Sequence, residues 1–228
     1  MPRIARIIIE NYPHHVTQRG INRSEIFLDN SDRRLFLANM KELSTRFNVK
    51  IWAYCLMQNH FHLLLIPLDS KGMSKFIHGL TFKHAQHFNK KYGRTGHLWE
   101  NRFFSCPVDK DSYFWAAVRY IENNPVRAKL VSTAEEWVWS SAGAHIKKGK
   151  DLFLDNSSDW LTEYERDEYV KFCREDTFCD NNNIRKTTSS GRPFGTENFI
   201  EEIGQKTNRN LKSGKAGRPK KEKYGGCP

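Results

Sequence analysis

The chain has 228 residues, of which 38% are hydrophobic, so it is long enough for a domain with a substantial core and an appendage. Its formal net charge of +11 favours a polyanionic partner. The five cysteines are odd in number and lack the close paired spacings of a zinc ribbon, and no apolar run reaches the length of a membrane span or signal peptide. We therefore expect a cytoplasmic protein.

Strand and helix patterns alternate over the first 124 residues. The predicted elements are a strand at 12–19, a helix at 32–47, strands at 50–57 and 60–66, a helix at 74–91, a strand at 102–108 and a helix at 109–124. One tight turn at residues 58–59 joins two of the strands, and long helices cross between the others. This pattern predicts an α+β fold, in which an antiparallel ferredoxin-like sheet has helices packed on one face.

Charge changes sharply along the chain. Lys and Arg number 23 against 12 Asp and Glu in residues 1–150, 3 against 10 in residues 151–180, and 11 against 4 in residues 181–228. Two basic regions therefore flank an acidic one.

These changes predict three parts. The first is a domain at 1–145, and the second is an acidic helical segment at 146–180 with an amphipathic helix at 161–172. A polar linker is predicted over 180–191, and the third part, 181–228, continues with a short capped helix at 192–203 and a disordered basic tail at 212–223.

Two histidines, His60 and His62, lie within an apolar run of a predicted strand. At strand period both imidazoles project from one face, while Phe61, Leu63 and Leu65 project from the other. Burying two imidazoles side by side is costly unless each has a partner. The pair is therefore either a metal-binding pair or two hydrogen-bonded core histidines, and two ligands do not complete a metal site.

A second polar pair lies at the end of the helix predicted at 109–124. Phe114, Val118 and Ile121 form the apolar stripe of this helix, and Pro125 follows it as a stop signal. Tyr120 and Asn124 are four residues apart on a neighbouring face, so their side chains can reach the same point. The alternative is a half-buried tyrosine beside an asparagine that caps the helix.

Four stretches occur together in a fixed order. They are residues 12–20 (YPHHVTQRG), 54–65 (YCLMQNHFHLLL), 96–103 (GHLWENRF) and 120–127 (YIENNPVR). With these stretches the chain resembles, over residues 1–145, the single-tyrosine HUH transposases (IS200-like transposases), and particularly the REP-associated tyrosine transposases. One departure is Gln58, where relatives often have proline; it lies in the turn outside the histidine pair.

The resemblance implies a ferredoxin-like enzyme that nicks and rejoins single-stranded DNA at hairpin-containing sites. Tyr120 is implied as the catalytic nucleophile, which leaves a 5′-phosphotyrosine link and a free 3′-hydroxyl. His60, His62 and the Asn124 side-chain oxygen are implied as ligands of a divalent metal ion, Mg²⁺ or Mn²⁺. Imidazole ligands by themselves suit transition metals at least as well, so the ligand types leave the ion open.

Cations among aromatic side chains are the predicted DNA-binding surface, because aromatic rings can stack unpaired bases. Trp99, Phe103 and Phe104 are the aromatic candidates, and at least one of the two phenylalanines is expected in the core. The predicted DNA-binding residues are Arg19, Arg94, His97, Arg102, Arg127 and Arg218. Arg218 lies in residues 217–221 (GRPKK), which resemble the core of an AT-hook; a nonspecific basic tail is the alternative.

Two other functions are compatible with these residues. One is a domesticated protein that binds hairpin DNA without strand transfer, and the other is a replication-initiator or relaxase-like nickase with the same His-hydrophobic-His chemistry. The intact Tyr120 and histidine pair favour the transposase over the first. The small size and the absence of a second tyrosine segment count against the second. We expect a monomer or homodimer, associated with the nucleoid.

Overall fold

A four-stranded antiparallel sheet forms the centre of the protein. The computed structural model describes residues 5–110, 112–147, 149–155, 163–175 and 178–211. Its strands are β1 (His14–Arg19), β2 (Val49–Leu56), β3 (His60–Pro67) and β4 (Phe104–Pro107). They pair in the order β2-β3-β1-β4, with every neighbouring pair antiparallel. The predicted α+β class and the ferredoxin-like sheet are confirmed.

Helices connect and cover these strands. They are α1 (Asn30–Arg46), α2 (Gly72–Lys91), α3 (Ser112–Glu122), α4 (Asn124–Arg127), α5 (Ala142–Lys147), α6 (Glu163–Arg174), α7 (Phe178–Ser190) and α8 (Glu197–Thr207). Two short 3₁₀ turns lie at Ile21–Arg23 and Ala134–Glu136. Helices α1 and α2 make the crossovers from β1 to β2 and from β3 to β4.

Helices cover both faces of the sheet rather than the single face predicted. Residues of α1 and α2 pack on the face that carries Val16 and Leu63. Residues of α3, α6 and α7 pack on the opposite face, around Leu64 and Cys106. The reason lies in β3, whose leucines point to both faces and are completely buried, so each face needs its own cover.

The helix predicted at 109–124 is divided into α3 and α4. Asn123 departs from helical geometry with φ −82° and ψ 7°, and Pro125 lies in the first turn of α4, where its missing N–H costs no hydrogen bond. Backbone bonds nevertheless bridge the junction, because Asn123 N donates to Arg119 O at 2.8 Å and Arg127 N donates to Asn123 O at 2.9 Å. Asn124 therefore remains one turn away from Tyr120.

The C-terminal part contains more helix than its composition indicates. The amphipathic helix predicted at 161–172 is confirmed as α6 from residue 163 on, and residues 161–162 lie outside the described residues. The short capped helix predicted at 192–203 is present as α8, which begins at Glu197 instead, because Thr196 is its N-cap and accepts from Phe199 N. The linker predicted at 180–191 is wrong, because this segment belongs to α7. Two of its side chains, Ile184 and Thr188, are buried against the sheet domain.

The division of the chain into three parts stays a prediction. The basic tail with Arg218 lies outside the described residues. Within the described ranges, no helix combines the length and the apolar character needed to cross a membrane.

Candidate active site

A pocket of about 480 Å³ opens on the α3 and α7 face of the sheet. Its walls come from β1, β3, the loop at residues 100–102, the junction of α3 with α4, and α7. Seven predicted site residues line it together: Arg19, His60, His62, Arg102, Tyr120, Asn124 and Arg127. Residues far apart in sequence thus converge on one cavity.

Each of the two predicted metal-binding histidines has its Nδ1 atom held by a neighbour. His60 Nδ1 lies 2.6 Å from Asn59 Oδ1, and the Asn59 amide donates to Arg23 O at 3.1 Å, so the Asn59 oxygen accepts from His60 Nδ1–H. His62 Nδ1 lies 2.8 Å from His15 Nε2. The His60 and His62 ring centroids are 5.0 Å apart. Nε2 is therefore the nitrogen through which each ring can bind a ligand.

Burial keeps both imidazoles neutral at neutral pH. It lowers the pKa of His60 to about 4, although a hydrogen bond to the Asn124 side chain raises this pKa. The pKa of His62 is lowered well below its ordinary value, first by burial and then by the neighbouring His60 and His15. The neutral imidazole is the form that binds a metal ion.

The Tyr120 ring stands edge-on against two imidazoles. Its centroid lies 5.6 Å from that of His62 and 5.5 Å from that of His15, with interplanar angles of 89° and 80°. Burial raises the pKa of the Tyr120 hydroxyl, whereas Arg127 and Arg185 act in the opposite direction. The Arg127 guanidinium carbon lies 4.3 Å from the ring centroid, and this side chain donates to Tyr120 O at 2.6 Å. The phenol thus lies between the histidines and fixed positive charge.

His15 joins the site although the sequence analysis did not single it out. It lies on β1 opposite Leu64 of β3 and shares the face of His62. Both of its nitrogens are held by side chains, because Nε2 lies 2.8 Å from His62 Nδ1 and Nδ1 lies 2.7 Å from Thr188 Oγ1. Burial and, to a smaller extent, the charge of Arg127 lower the pKa of His15 to about 3.

A buried carboxylate fixes the end of α3 between Tyr120 and Asn124. Glu122 is fully buried and accepts from Ser141 Oγ at 2.5 Å and from Tyr169 Oη at 2.8 Å. His145 Nδ1 lies 2.6 Å from the same carboxylate. A buried carboxylate is stable only when its oxygens are satisfied, so this network anchors the turn that carries the site to α5 and α6.

Comparison with known families agrees with this geometry. The family model described as "Transposase IS200 like" matches residues 9–124, a little over half of the chain. The chain belongs to the IS200-like transposase family. No protein with a curated description matches it.

Two solved structures are similar to this IS200-like transposase. The first is a REP-associated tyrosine transposase bound to a REP hairpin, which aligns with a TM-score of 0.55 and 18% identity over 72% of this chain and 93% of that chain. The second is a protein of Deinococcus radiodurans R1, provisionally assigned as a transposase, with a TM-score of 0.38 and 15% identity over 57% and 92% of the two chains. The first likeness supports the fold.

The predicted DNA-binding residues of the transposase divide into two groups. Arg19, Arg102 and Arg127 line the pocket, and Arg19 pairs there with Glu100 at 2.9 Å. Arg94 and His97 are exposed outside the pocket lining.

The three aromatic candidates also separate. Phe104 lines the pocket, whereas Trp99 and Phe103 pack against the core beneath α1 and α2. Phe104 is thus the one of these three rings that a base in the pocket could reach.

The donor set of the pocket fits a divalent ion. Among the described residues, no three His, Cys, Asp or Glu side chains come together as a metal site. Asn124 is hydrogen-bonded to His60 and offers an amide oxygen. Two imidazole nitrogens with held Nδ1 atoms and one amide oxygen suit a divalent cation that completes its coordination with phosphate oxygens and water.

Helix α7 contributes three pocket residues that sequence reasoning missed, Arg185, Thr188 and Ser189. Their spacing of three and four residues was visible, but nothing in this polar segment indicated a helix. The sequence indicated His15 more strongly than it indicated the residues of α7. One of the adjacent pair His14 and His15 must face the same side of the sheet as His60 and His62. Only the pairing of β1 with β3 decides which.

Proposed function

We propose that this IS200-like transposase cleaves and rejoins single-stranded DNA at hairpin-containing sites through a 5′-phosphotyrosine at Tyr120. The observation that carries the proposal is the packing of the Tyr120 ring against His62, in the pocket that also holds His60 and Asn124. A nucleophile, a candidate metal-binding pair and a basic rim occupy one cavity, which is the arrangement that phosphoryl transfer to a side chain requires.

Arginines at the pocket rim bind the DNA backbone in this proposal. Arg19, Arg102, Arg127 and Arg185 line the cavity from four different segments. Guanidinium groups pair with phosphate oxygens in a bidentate manner, and they hold the scissile phosphate next to the phenol. The REP-associated relative is bound to a REP hairpin, which supports a hairpin-containing strand as the substrate here.

The reaction exchanges one phosphate ester for another. The Tyr120 phenol loses its proton to solvent, helped by Arg127 and Arg185, which favour the phenolate. Its oxygen forms a bond to phosphorus, the bond from phosphorus to the 3′-oxygen breaks, and that oxygen takes up a proton. Because the ester energy is conserved, a 3′-hydroxyl of another strand can later attack the phosphotyrosine and release Tyr120.

His60 and His62, through Nε2, and Asn124, through its side-chain oxygen, hold a divalent ion, Mg²⁺ or Mn²⁺, in this proposal. When bound, the ion supplies Lewis-acid polarisation of the scissile phosphate and offsets the charge that develops on it. The hydrogen bonds that His60 donates to Asn59 and His62 donates to His15 fix the orientation of the two rings. In the same proposal the protein is cytoplasmic and associated with the nucleoid, and its basic tail binds DNA as an additional contact.

The test separates the two halves of a cleaved strand. Purified protein is incubated with a hairpin oligonucleotide and Mn²⁺ or Mg²⁺, labelled in one sample at the 3′ end and in another at the 5′ end, and run on a denaturing gel. We expect the 3′ label to migrate with the protein and the 5′ label to appear as a shorter free strand.

Matched variants decide which tyrosine reacts. Tyr120→Phe should lose both products, whereas Tyr113→Phe, on the same helix but packed against Phe194, should keep them. If hairpins bind tightly but no wild-type adduct forms, the protein is a hairpin-binding protein without strand transfer. An adduct that persists in Tyr120→Phe would mean another nucleophile.

A further inference from the structure

A continuous chain of hydrogen bonds runs from the candidate metal site to helix α7. His62 Nδ1 meets His15 Nε2 at 2.8 Å, His15 Nδ1 meets Thr188 Oγ1 at 2.7 Å, and Thr188 Oγ1 meets Cys106 Sγ at 3.2 Å. His15, Thr188 and Cys106 are at most 3% exposed. The hydrogen-bond chain is therefore largely buried beyond His62, with His15 and Thr188 bordering the pocket.

Proton positions along this chain are linked. A His62 that binds a metal ion through Nε2 must have its hydrogen on Nδ1, and this hydrogen can only point at His15 Nε2. His15 Nε2 is then an acceptor, so His15 Nδ1 has the hydrogen and donates it to Thr188 Oγ1. The Thr188 hydroxyl hydrogen remains for Cys106 Sγ. Every atom of the hydrogen-bond chain has a partner in this arrangement, which is the one that metal binding through His62 Nε2 requires.

Helix α7 places Thr188 by its packing on the sheet. Ile184, one turn before Thr188, is 1% exposed and belongs to the core of this face. Thr188 therefore lies on the same inward stripe and borders the pocket together with Arg185 and Ser189. The match to the IS200-like family ends at residue 124, so α7 lies outside the part of the chain that the family model covers.

We infer that Thr188 and His15 are positioning residues for the metal site, and that α7 is a structural part of the active site. Thr188 fixes the orientation of the His15 ring by its hydrogen bond to Nδ1, and His15 in turn holds His62 with its Nε2 lone pair directed to the ion. This inference rests on the proposed function of His62 as a metal ligand. Partners of this kind, one step removed from the metal, typically contribute 10–100-fold to metal affinity or activity.

The first test needs no variant. The ¹⁵N shifts of the histidine ring nitrogens, measured on metal-free wild-type protein by long-range ¹H–¹⁵N correlation, report which nitrogen of His62 and His15 has the hydrogen. We expect hydrogen on Nδ1 of both rings. Hydrogen on Nε2 of His62 would overturn the inference whatever the enzyme's activity.

The second test compares Thr188→Val with Thr188→Ser. Valine keeps the volume of threonine but cannot accept from His15, whereas serine keeps the hydroxyl. We expect Thr188→Val to weaken Mn²⁺ binding, measured by electron paramagnetic resonance without DNA, by about 10–100-fold. Its hairpin affinity without metal should stay within about twofold, and Thr188→Ser should resemble the wild type.

The outcomes separate this inference from the proposed function. If Thr188→Val binds Mn²⁺ as tightly as the wild type, or if Thr188→Ser is equally impaired, the hydroxyl has no positioning role, and the phosphotyrosine proposal stands. If the wild type forms no adduct and binds no Mn²⁺, the proposed function falls instead. Should Thr188→Val fail to fold, the ring-nitrogen measurement on the wild type decides alone.

Discussion

The two faces of the sheet use buried histidine in different ways. On the α1 and α2 side, His84 is 1% exposed, its Nε2 lies 2.7 Å from Ile26 O, and its ring packs between Phe27 and Phe36. On the opposite side, His60 and His62 border a pocket and have Nδ1 held. Burial lowers the pKa of His60 and of His84 to the same value, about 4.

A lowered pKa therefore does not distinguish a structural histidine from a candidate ligand. The adjacent residues His14 and His15 make the same point. His14 meets backbone groups only, Tyr12 O at 2.8 Å and Ile9 N at 3.2 Å, whereas His15 meets the side chains of Thr188 and His62. The identity of the hydrogen-bond partners, and whether an open cavity adjoins the ring, separate the two uses.

The variant His62→Ala tests the difference between the two faces with the largest expected effect. Because this change removes a proposed metal ligand, we expect the rate of strand cleavage to fall by about 10³-fold or more. The free energy of unfolding should fall by no more than about 2 kcal/mol, since a single imidazole and its bond to His15 are lost. Cleavage at the wild-type rate under strict metal chelation would show that the pair has no catalytic ion.

The matching change on the other face is His84→Ala. It leaves a cavity between Phe27 and Phe36 and an unpaired carbonyl at Ile26, so we expect a loss of about 2–4 kcal/mol in the free energy of unfolding, measured with urea. Mn²⁺ affinity of the folded variant should be unchanged. A tenfold loss of Mn²⁺ affinity without loss of stability would reverse the roles assigned to the two faces.

The dependence of stability on pH tests whether His84 is neutral in the folded protein. The pKa of His84 is about 4 in the folded protein, against the ordinary 6.5 expected when unfolded, because burial outweighs the backbone bond to Ile26 and the nearby Asp32, which raise it. The unfolded chain therefore binds one more proton between these values, and stability falls as pH falls from about 6.5 to about 4.

His84→Gln tests this assignment, because its side-chain amide can still donate to Ile26 O but does not titrate. Near pH 5 we expect the slope of unfolding free energy against pH to decrease by about 1.4 kcal/mol per pH unit, measured by urea titrations at a series of pH values. An unchanged slope would mean that His84 is charged in the folded protein.

The smallest effect concerns α7, where neighbouring cations differ in position. Arg185 lines the pocket, whereas Lys186 is exposed outside its lining. We expect Arg185→Gln to reduce the salt dependence of single-strand binding by about 0.7 in logarithmic slope, the loss of roughly one phosphate contact, with Lys186→Gln nearly unchanged. Equal slopes for the two variants would place the DNA elsewhere.

Short-range patterns predicted much of this molecule. The i, i+2 spacing placed His60 with His62, and the i, i+4 spacing placed Tyr120 with Asn124, because both spacings depend only on local geometry. That the two pairs meet in one pocket was implied only by the resemblance to the HUH transposases. The order of strands and helices followed from the same periodicities.

Contacts between distant segments escaped prediction. His15 needs the β1–β3 register, and Thr188 needs the docking of α7, whose run of asparagines carries almost no apolar stripe. The second helical layer likewise follows from the leucines on both faces of β3. The sequence of this strand shows that both faces are apolar, but it does not show which helices cover each face.

The covalent adduct itself tests the central claim most directly. Trypsin cleaves after Arg119 and Arg127, so the peptide 120–127 (YIENNPVR) isolates Tyr120 from every other tyrosine. After reaction with a hairpin strand and Mn²⁺, followed by nuclease and trypsin digestion, mass spectrometry should find a 5′-linked nucleotide on this peptide. A nucleotide on any other peptide, with 120–127 unmodified, would contradict the assignment of Tyr120 as the nucleophile.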